Sequence, residues 1–197
     1  MGDPLTFTSK YNKSAPKTSH STASLFGNSS FNLGSNGGNV NRDGKWACLD
    51  DFYVLDVETQ VWTKAKTVLS PLPRKGHTMN LVTVNGQKCF LVFGGFSSDS
   101  SMLSNSLHVC SAEDVVSGKE CVWRRLDTQG EPPPPRYFHT CTVIHKPGGR
   151  MGRHVNEMLC VYGGLGTKSQ VFDDFYTFDL TDMVWKLIPG SMRSEER

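Results

Sequence analysis

The stretch Arg74-Lys75-Gly76-His77-Thr78 opens a segment, residues 74–123, that occurs a second time further along the chain. The segment continues with the apolar run Cys89-Phe90-Leu91-Val92-Phe93, which is followed by Gly94-Gly95 and, later, by Trp123. The second copy begins with Arg136-Tyr137-Phe138-His139-Thr140 and includes Gly163-Gly164 and Trp185. The two histidines are 62 residues apart, as are the two tryptophans. Repetition at one period indicates a repeat architecture.

Each copy predicts four consecutive antiparallel strands, A to D, because short apolar runs alternate with turn-forming Gly, Pro, Asn and Ser. The predicted strands are 78–84, 88–93, 104–109 and 121–126 in the first copy, and 140–145, 157–162, 174–180 and 183–188 in the second. An earlier half unit, residues 50–62, matches residues 173–185 and ends at Trp62.

These anchors resemble the kelch repeat, the unit of one family of β-propellers, over residues 49–190. The matching motif residues are Arg74, Gly76, His77, Gly94, Gly95 and Trp123, then Arg136, His139, Gly163, Gly164, Tyr176, Asp179 and Trp185. The sequence departs from the pattern where Phe138 replaces a glycine, and where Leu107 and Cys110 stand in place of the Tyr and the Asp. The resemblance implies an all-β fold of four-stranded antiparallel blades, with the three repeat tryptophans buried between neighbouring blades.

The predicted organisation is an incomplete propeller of about two and a half blades, whereas a closed propeller needs about 4–8. The segments are a disordered Ser/Asn/Gly-rich tail, a partial blade that has lost its A and B strands, two full blades, and the start of a next unit or a tail: 1–44, 45–66, 67–127, 128–190 and 191–197. The chain is expected to be a fragment of a longer propeller; the alternatives are self-association into a closed ring and a marginal solenoid.

Charge and composition argue against several classes of function. The net charge of +2 is carried by the tail, so the predicted blades are electrically balanced, which argues against a nucleic-acid partner. No apolar run approaches the length of a membrane span. The 6 cysteines lack zinc-site spacing, and the absence of a signal peptide favours a cytoplasmic location with free thiols. We expect no metal and no cofactor.

Function is expected to reside in the loops. Because successive strands run antiparallel, A–B and C–D loops share one face, and B–C loops and D–A crossings share the other. The resemblance implies that a partner protein binds at the second face, for which the candidates are Phe96, Asp99, Lys168 and Gln170. A basic loop on the first face contributes Lys146, Arg150 and Arg153 as candidates for an acidic partner. The sequence predicts a protein-interaction module or scaffold with no catalytic residue; the alternative is part of a kelch-like propeller enzyme that acts on a small molecule.

Overall fold

The structure is a computed structural model that describes residues 23–27, 39–40, 46–48, 50–56, 59–97, 102–146 and 156–190. Within these residues the chain forms three larger antiparallel sheets in sequence order, called here the N-terminal, middle and last sheets, together with three two-stranded ones. The predicted segment 191–197 lies outside the described residues.

The N-terminal sheet has the order β1-β4-β5, and a separate β2-β3 hairpin precedes β4 in the chain. The strands are β1 (Ala23–Gly27), β2 (Asn39–Val40), β3 (Trp46–Ala47), β4 (Phe52–Asp56) and β5 (Val61–Lys64). The strands β1 and β2 lie within the segment 1–44 that the sequence predicts to be a disordered tail. The partial blade also has a third strand, since β1 pairs antiparallel with one edge of β4. Without β1, the backbone N–H and C=O groups at that edge of β4 would be unpaired.

The middle sheet has the order β7-β8-β11-β13. Its segment contains β6 (Thr67–Val68), β7 (Thr78–Val84), β8 (Gln87–Phe93), β9 (Phe96–Ser97), β10 (Met102–Leu103), β11 (Leu107–Ser111), α1 (Ala112–Val116), β12 (Cys121–Val122) and β13 (Arg124–Arg125). The predicted D strand at 121–126 is divided, since β12 pairs in parallel with β6 while β13 continues the sheet.

The last sheet has the order β14-β15-β16-β17 and lacks such interruptions. Its strands are β14 (Thr140–Lys146), β15 (Asn156–Tyr162), β16 (Phe175–Asp179) and β17 (Val184–Ile188), with a short 3-10 helix at Thr167–Ser169. The strand bounds agree with the predicted ones to within one residue or so.

Two apolar clusters hold the three sheets together. The first lies between the N-terminal and middle sheets and includes Phe52, Phe90 and Trp123. The second lies between the middle and last sheets and includes Phe93 and Phe178. Because both faces of the middle sheet are covered, all of residues 89–93 in β8 are buried, as expected for a run of consecutive apolar residues.

The repeat tryptophans pack onto the sheet that precedes their own. Trp123 lies 6.0 Å from Phe52 of the N-terminal sheet, and Trp185 lies 5.2 Å from Phe93 of the middle sheet, measured between ring centroids. Both are buried, whereas Trp62 of the N-terminal sheet is 51% exposed. Burial of all three tryptophans was predicted, so the prediction is wrong for Trp62, because no described sheet precedes the N-terminal one.

The pairing register of β11 corrects one correspondence between the two copies. Cys110 pairs with Phe90, and in the last sheet Phe178 pairs with Leu159. Phe90 and Leu159 lie at the same distance before the glycine pair of their own copy. By this register His108 and Ser111, not Leu107 and Cys110, are the counterparts of Tyr176 and Asp179. Ser111 also caps the following turn, since its Oγ accepts from Asp114 N at 3.2 Å, as Asp179 Oδ1 accepts from Thr181 N at 2.9 Å.

Glu157 joins the last sheet to the middle one. Its buried carboxylate accepts from Thr83 Oγ1 at 2.9 Å and from Lys88 Nζ at 3.0 Å. Burial by itself would raise the pKa of Glu157, but the hydrogen bonds from Lys88 and Thr83 hold it below the ordinary value. A charged group thus contributes to a junction that is otherwise apolar.

The two repeat histidines, His77 and His139, are neutral in the folded protein. His139 Nε2 lies 2.9 Å from Thr78 Oγ1, and its ring makes an edge contact with Phe93. Burial, reinforced by the nearby Arg74 and Arg136 charges, lowers the pKa of His77 to about 4 and that of His139 to about 3. Protonation is therefore disfavoured in the folded state.

We expect the free energy of unfolding to fall as the pH is lowered from about 7 to about 5.5, by about 1 kcal/mol for each of these histidines. The unfolded chain binds protons near the ordinary histidine pKa, and the folded chain does not, so stability is present above that pH and lost below it. Urea denaturation across this range measures the slope. His139→Gln should reduce the slope, and an unchanged slope in that variant would contradict the assignment.

Candidate functional site

The B–C loops and the D–A crossings meet at one face of the stack, called here the crossing face. In the middle sheet the backbones of Lys75 and Phe96 exchange two hydrogen bonds, both at 2.9 Å. In the last sheet Tyr137 and Leu165 exchange two, at 3.0 and 2.8 Å. Each crossing is therefore fastened to the loop beside it, so the side chains on this face project from a fixed backbone.

Three aromatic rings, Phe96, Tyr137 and Phe138, form a patch on the crossing face, called here the aromatic patch. The Phe96 and Tyr137 ring centroids are 6.0 Å apart, and those of Tyr137 and Phe138 are 4.7 Å apart. Lys75 Nζ lies 5.6 Å from the Phe96 ring centroid, within the range of a cation–π contact. The patch spans two repeats, since Phe96 belongs to the first copy and the other two rings to the second.

Phe138 holds an unfavourable backbone conformation and exposes its ring. Its φ is +56°, in the left-handed region that a bulky residue rarely adopts, and 62% of the residue is exposed. Its counterpart Gly76 has a φ of +64°, which glycine adopts without steric cost. The Phe138 N–H donates to Gly76 O at 2.8 Å, so the two equivalent positions are hydrogen-bonded to each other.

Two buried arginines lie beneath the crossing face. Arg136 donates from Nε to Pro134 O at 3.1 Å and from an Nη to Gly163 O at 2.8 Å. It also forms a two-point ion pair with the Asp174 carboxylate, and its guanidinium lies 4.2 Å from the Phe172 ring centroid. Arg74 donates to Leu72 O at 3.0 Å and to Gly94 O at 2.8 Å. Both arginines therefore secure the ends of their crossings to the glycine pairs.

Gly94, the first glycine of its pair, packs too closely against its neighbours to carry a side chain. Gly94 has a φ of +68°, and a Cβ at this position would lie 2.6 Å from the His139 ring and 2.8 Å from Arg136 O. No other residue fits there without displacing the histidine or the crossing.

The structure places only some of the predicted partner-binding residues on the crossing face. Phe96 belongs to the aromatic patch, and Lys168 and Gln170 are exposed on the second B–C loop of the same face. Lys146 ends β14 at the opposite face, and its side chain lies outside the described residues, as do Asp99, Arg150 and Arg153. Tyr137 and Phe138 were not predicted to bind a partner. The sequence feature that could have identified them is the phenylalanine at a glycine position of the repeat. It indicates that a residue with left-handed backbone angles is kept there for its side chain.

Over the part of the chain that the structure describes, no group of three or more His, Cys, Asp and Glu side chains is placed to hold a metal ion. Nor does that part contain a helix long and apolar enough to cross a membrane.

Comparison with known proteins identifies the repeat. Residues 19–191 match the family model of the KLHDC2/KLHL20/DRC7 Kelch-repeats domain. The chain belongs to the kelch-repeat family. The antiparallel sheets described above accordingly have the fold of a kelch β-propeller, and the match begins within the segment predicted to be a disordered tail.

Relatives of this kelch chain include several larger proteins. It is 26% identical over 148 residues to Acyl-CoA-binding domain-containing protein 4 of Arabidopsis thaliana, covering 75% of this chain and 19% of that protein. It is 29% identical to Kelch domain-containing protein 1 of Mus musculus, covering 72% and 30%. It is 30% identical to the Rab9 effector protein with kelch motifs of Mus musculus, covering 68% and 31%. The chain thus spans less than a third of the length of these relatives.

Solved structures show the same fold. The chain resembles the structure of YjhT with a TM-score of 0.56 at 14% identity, over 80% of this chain and 48% of that one. A RAG complex bound to one melted and one unmelted RSS matches with a TM-score of 0.50 at 17% identity, over 69% and 43%.

Proposed function

We propose that this kelch chain is a protein-interaction module without catalytic activity of its own, and that it binds a partner protein through the aromatic patch on the crossing face. The observation that carries the proposal is Phe138, which exposes 62% of its surface from a strained left-handed backbone. Strain at a non-glycine residue persists where the surrounding structure enforces it, and such positions cluster at binding sites.

The chemistry of the patch favours a protein surface as the partner. Aromatic side chains are enriched among the residues that dominate binding energy, because they bury a large area with little loss of side-chain entropy. The backbone bonds from Lys75, Tyr137 and Phe138 hold the patch in a fixed geometry before binding. A rigid patch reduces the entropic cost of association.

The neighbouring loop residues complete the proposed interface. Lys168 and Gln170 would form its polar rim, together with Asp99 of the first B–C loop. The basic residues Lys146, Arg150 and Arg153 are proposed as a separate contact for an acidic segment. The same proposal includes a cytoplasmic location and no nucleic-acid partner. It also extends the role in protein interaction to the whole protein.

Replacement of Phe138 by glycine separates binding from folding. Glycine restores the residue of the repeat pattern and removes the left-handed strain, so we expect the free energy of unfolding to rise by up to about 1 kcal/mol. Loss of a central aromatic should weaken partner binding by about thirtyfold, which corresponds to about 2 kcal/mol for a dominant interface residue. Quantitative mass spectrometry of proteins captured by the purified chain measures the binding, and thermal unfolding measures the stability.

Val122→Ala is the matched control. Val122 is 51% exposed but lies at the start of the D strand, at the face opposite the crossings. Proteins retained by the wild type and by Val122→Ala, and lost with Phe138→Gly, would support the proposal. Retention of the same proteins by Phe138→Gly would contradict it.

A further inference from the structure

The crossing that leads into the last sheet contains four consecutive prolines, residues 132–135. A proline fixes φ at about −65°, and the residue before a proline is confined to extended backbone angles. Residues 132–134 meet both conditions, because each is a proline that precedes a proline. This stretch therefore adopts the polyproline II conformation, a left-handed helix with about three residues per turn and hence three edges.

The burial of the segment repeats with the same period. Pro133 and Arg136, three residues apart, are fully buried and lie on the edge that faces the protein. Pro132 and Pro135 lie on a second edge, Pro134 lies on the third, and all three of these prolines are exposed. The exposed residues Pro132, Pro134 and Pro135 are called here the proline ridge.

Hydrogen bonds fix the segment before the ridge and within it. Gln129 N donates to Met183 O at 2.8 Å, and Gln129 O accepts from Trp185 N at 2.9 Å. Within the ridge, the side-chain amide of Asn105 donates to Pro133 O at 3.1 Å. The prolines therefore hold the polyproline II conformation before any partner binds, which lowers the entropic cost of association.

The first crossing shows which of the prolines the fold requires. It reads Ser-Pro-Leu-Pro over residues 70–73, where the second crossing has four prolines. Prolines at the second and fourth of these positions thus occur in both crossings and belong to the fold. Pro132 and Pro134 have no proline counterpart, and both are exposed. A crossing of this kind folds without them, so their presence indicates contact with another molecule.

The charges beside the ridge narrow the kind of partner. Polyproline II segments dock on grooves lined by aromatic side chains, as in SH3 and WW domains. An SH3 groove typically pairs an acidic side chain with a basic residue of its ligand, but Arg136, which follows the ridge, is buried and paired with Asp174. The charged residue that precedes the ridge is Glu131, which is exposed. A WW groove, which holds prolines between a tryptophan and a tyrosine, fits the ridge better.

We propose that the proline ridge is a docking site for a partner domain with a WW-type aromatic groove. The two exposed edges of the ridge pack against the aromatic rings of the groove, while Pro133 keeps the third edge on this protein. The ridge is a contact surface additional to the aromatic patch, and its docking does not depend on the function proposed for that patch.

The test titrates an array of ¹⁵N-labelled WW domains with the purified chain, following the indole N–H signal of each groove tryptophan by NMR. The wild-type chain should shift this signal saturably in one or more of the domains. Pro132→Ser combined with Pro134→Leu gives the second crossing the residues of the first, and should weaken this binding by about tenfold or more. Leu72→Ala, which changes an exposed residue of the first crossing, should bind like the wild type.

Absence of binding to every WW domain, or equal binding by the double variant, would overturn the docking site. Binding to SH3 domains in place of WW domains would overturn the assignment of the groove. Unchanged binding to a WW domain whose groove tryptophan is replaced by alanine would do the same.

Thermal unfolding checks that the double variant is folded, since its melting temperature should fall by no more than about 5 °C. Pro134→Leu alone takes its place if the fall is larger. Proteins whose capture is lost with Phe138→Gly should still be captured by the double variant, so failure of the aromatic patch and failure of the ridge are distinguishable.

Discussion

Replacement of Trp185 by alanine will lower the free energy of unfolding by about 3–5 kcal/mol, the range for truncation of a fully buried aromatic residue. Trp185 is 3% exposed, and its ring packs 5.2 Å from Phe93 of the middle sheet and 4.8 Å from Phe178 of its own. The truncation leaves a cavity at the junction of two sheets whose backbones cannot collapse to fill it. Urea denaturation followed by far-UV circular dichroism measures the loss.

Trp62→Ala is the matched control, since the two tryptophans hold equivalent places in the repeat. Because Trp62 is 51% exposed, its truncation removes less buried surface and should cost less than half as much as that of Trp185. Equal losses at the two positions would contradict the assignment of the stabilisation to packing against the preceding sheet.

Asp174→Asn will destabilise the chain by about 2–4 kcal/mol, because it leaves the charge of Arg136 buried and unpaired. Arg136 has a side-chain exposure of 0%, whereas the Asp174 side chain is 24% exposed, which places the expected loss below that of a wholly buried pair. Asparagine keeps the shape of the aspartate and one acceptor oxygen, so the measured loss reports mainly on the charge. Thermal and urea unfolding provide the measurement.

Asp51→Asn provides the comparison at the equivalent position of the N-terminal sheet. Asp51 pairs with Lys64 at 3.3 Å, but the lysine side chain is 58% exposed, and such surface pairs contribute little. We expect a change within about 0.5 kcal/mol. A loss at Asp174 no larger than that at Asp51 would mean that the buried arginine does not depend on its carboxylate.

The structure could be predicted from the sequence at the repeat positions that have the same structural role in each copy. Arg74 and Arg136, with the glycine pairs that they contact, could be matched by spacing alone, because the arginine contacts require a close approach of two backbones. The apolar residues of β8 predicted a sheet covered on both faces for the same reason. The all-β fold and the strand bounds of the last sheet followed from these anchors.

Prediction was less successful where an insertion shifts one strand. The chain between Gly95 and β11 is one residue longer than its counterpart, so counting from the glycines misplaced Leu107 and Cys110 by one position. In a strand, a shift of one residue reverses which face each side chain occupies. The pairing of Cys110 with Phe90 settles the face, and it also reveals that Ser106 replaces an aspartate.

The candidate site was harder to predict from the sequence than the fold. Phe96 was selected because it begins a B–C loop, but Phe138 could be recognised only as a departure from the repeat. Its exposure depends on the left-handed backbone and on the hydrogen bond to Gly76, which join residues from different copies. The β1 strand escaped prediction because its few apolar residues lie in a polar segment, and its pairing partner, the free edge of β4, is a property of the assembled sheet.

The packing of the tryptophans gives the stack of blades a polarity. Trp123 and Trp185 each insert towards the blade before their own, so each junction has a blade that supplies the ring and a blade that receives it. In the N-terminal sheet Trp62 is 51% exposed, and in the last sheet Tyr162 occupies the position that Phe93 has in the middle sheet. In the same arrangement, a sheet that packed against the outer face of the last sheet would contribute the tryptophan of that junction, so the two faces of the last sheet have different roles.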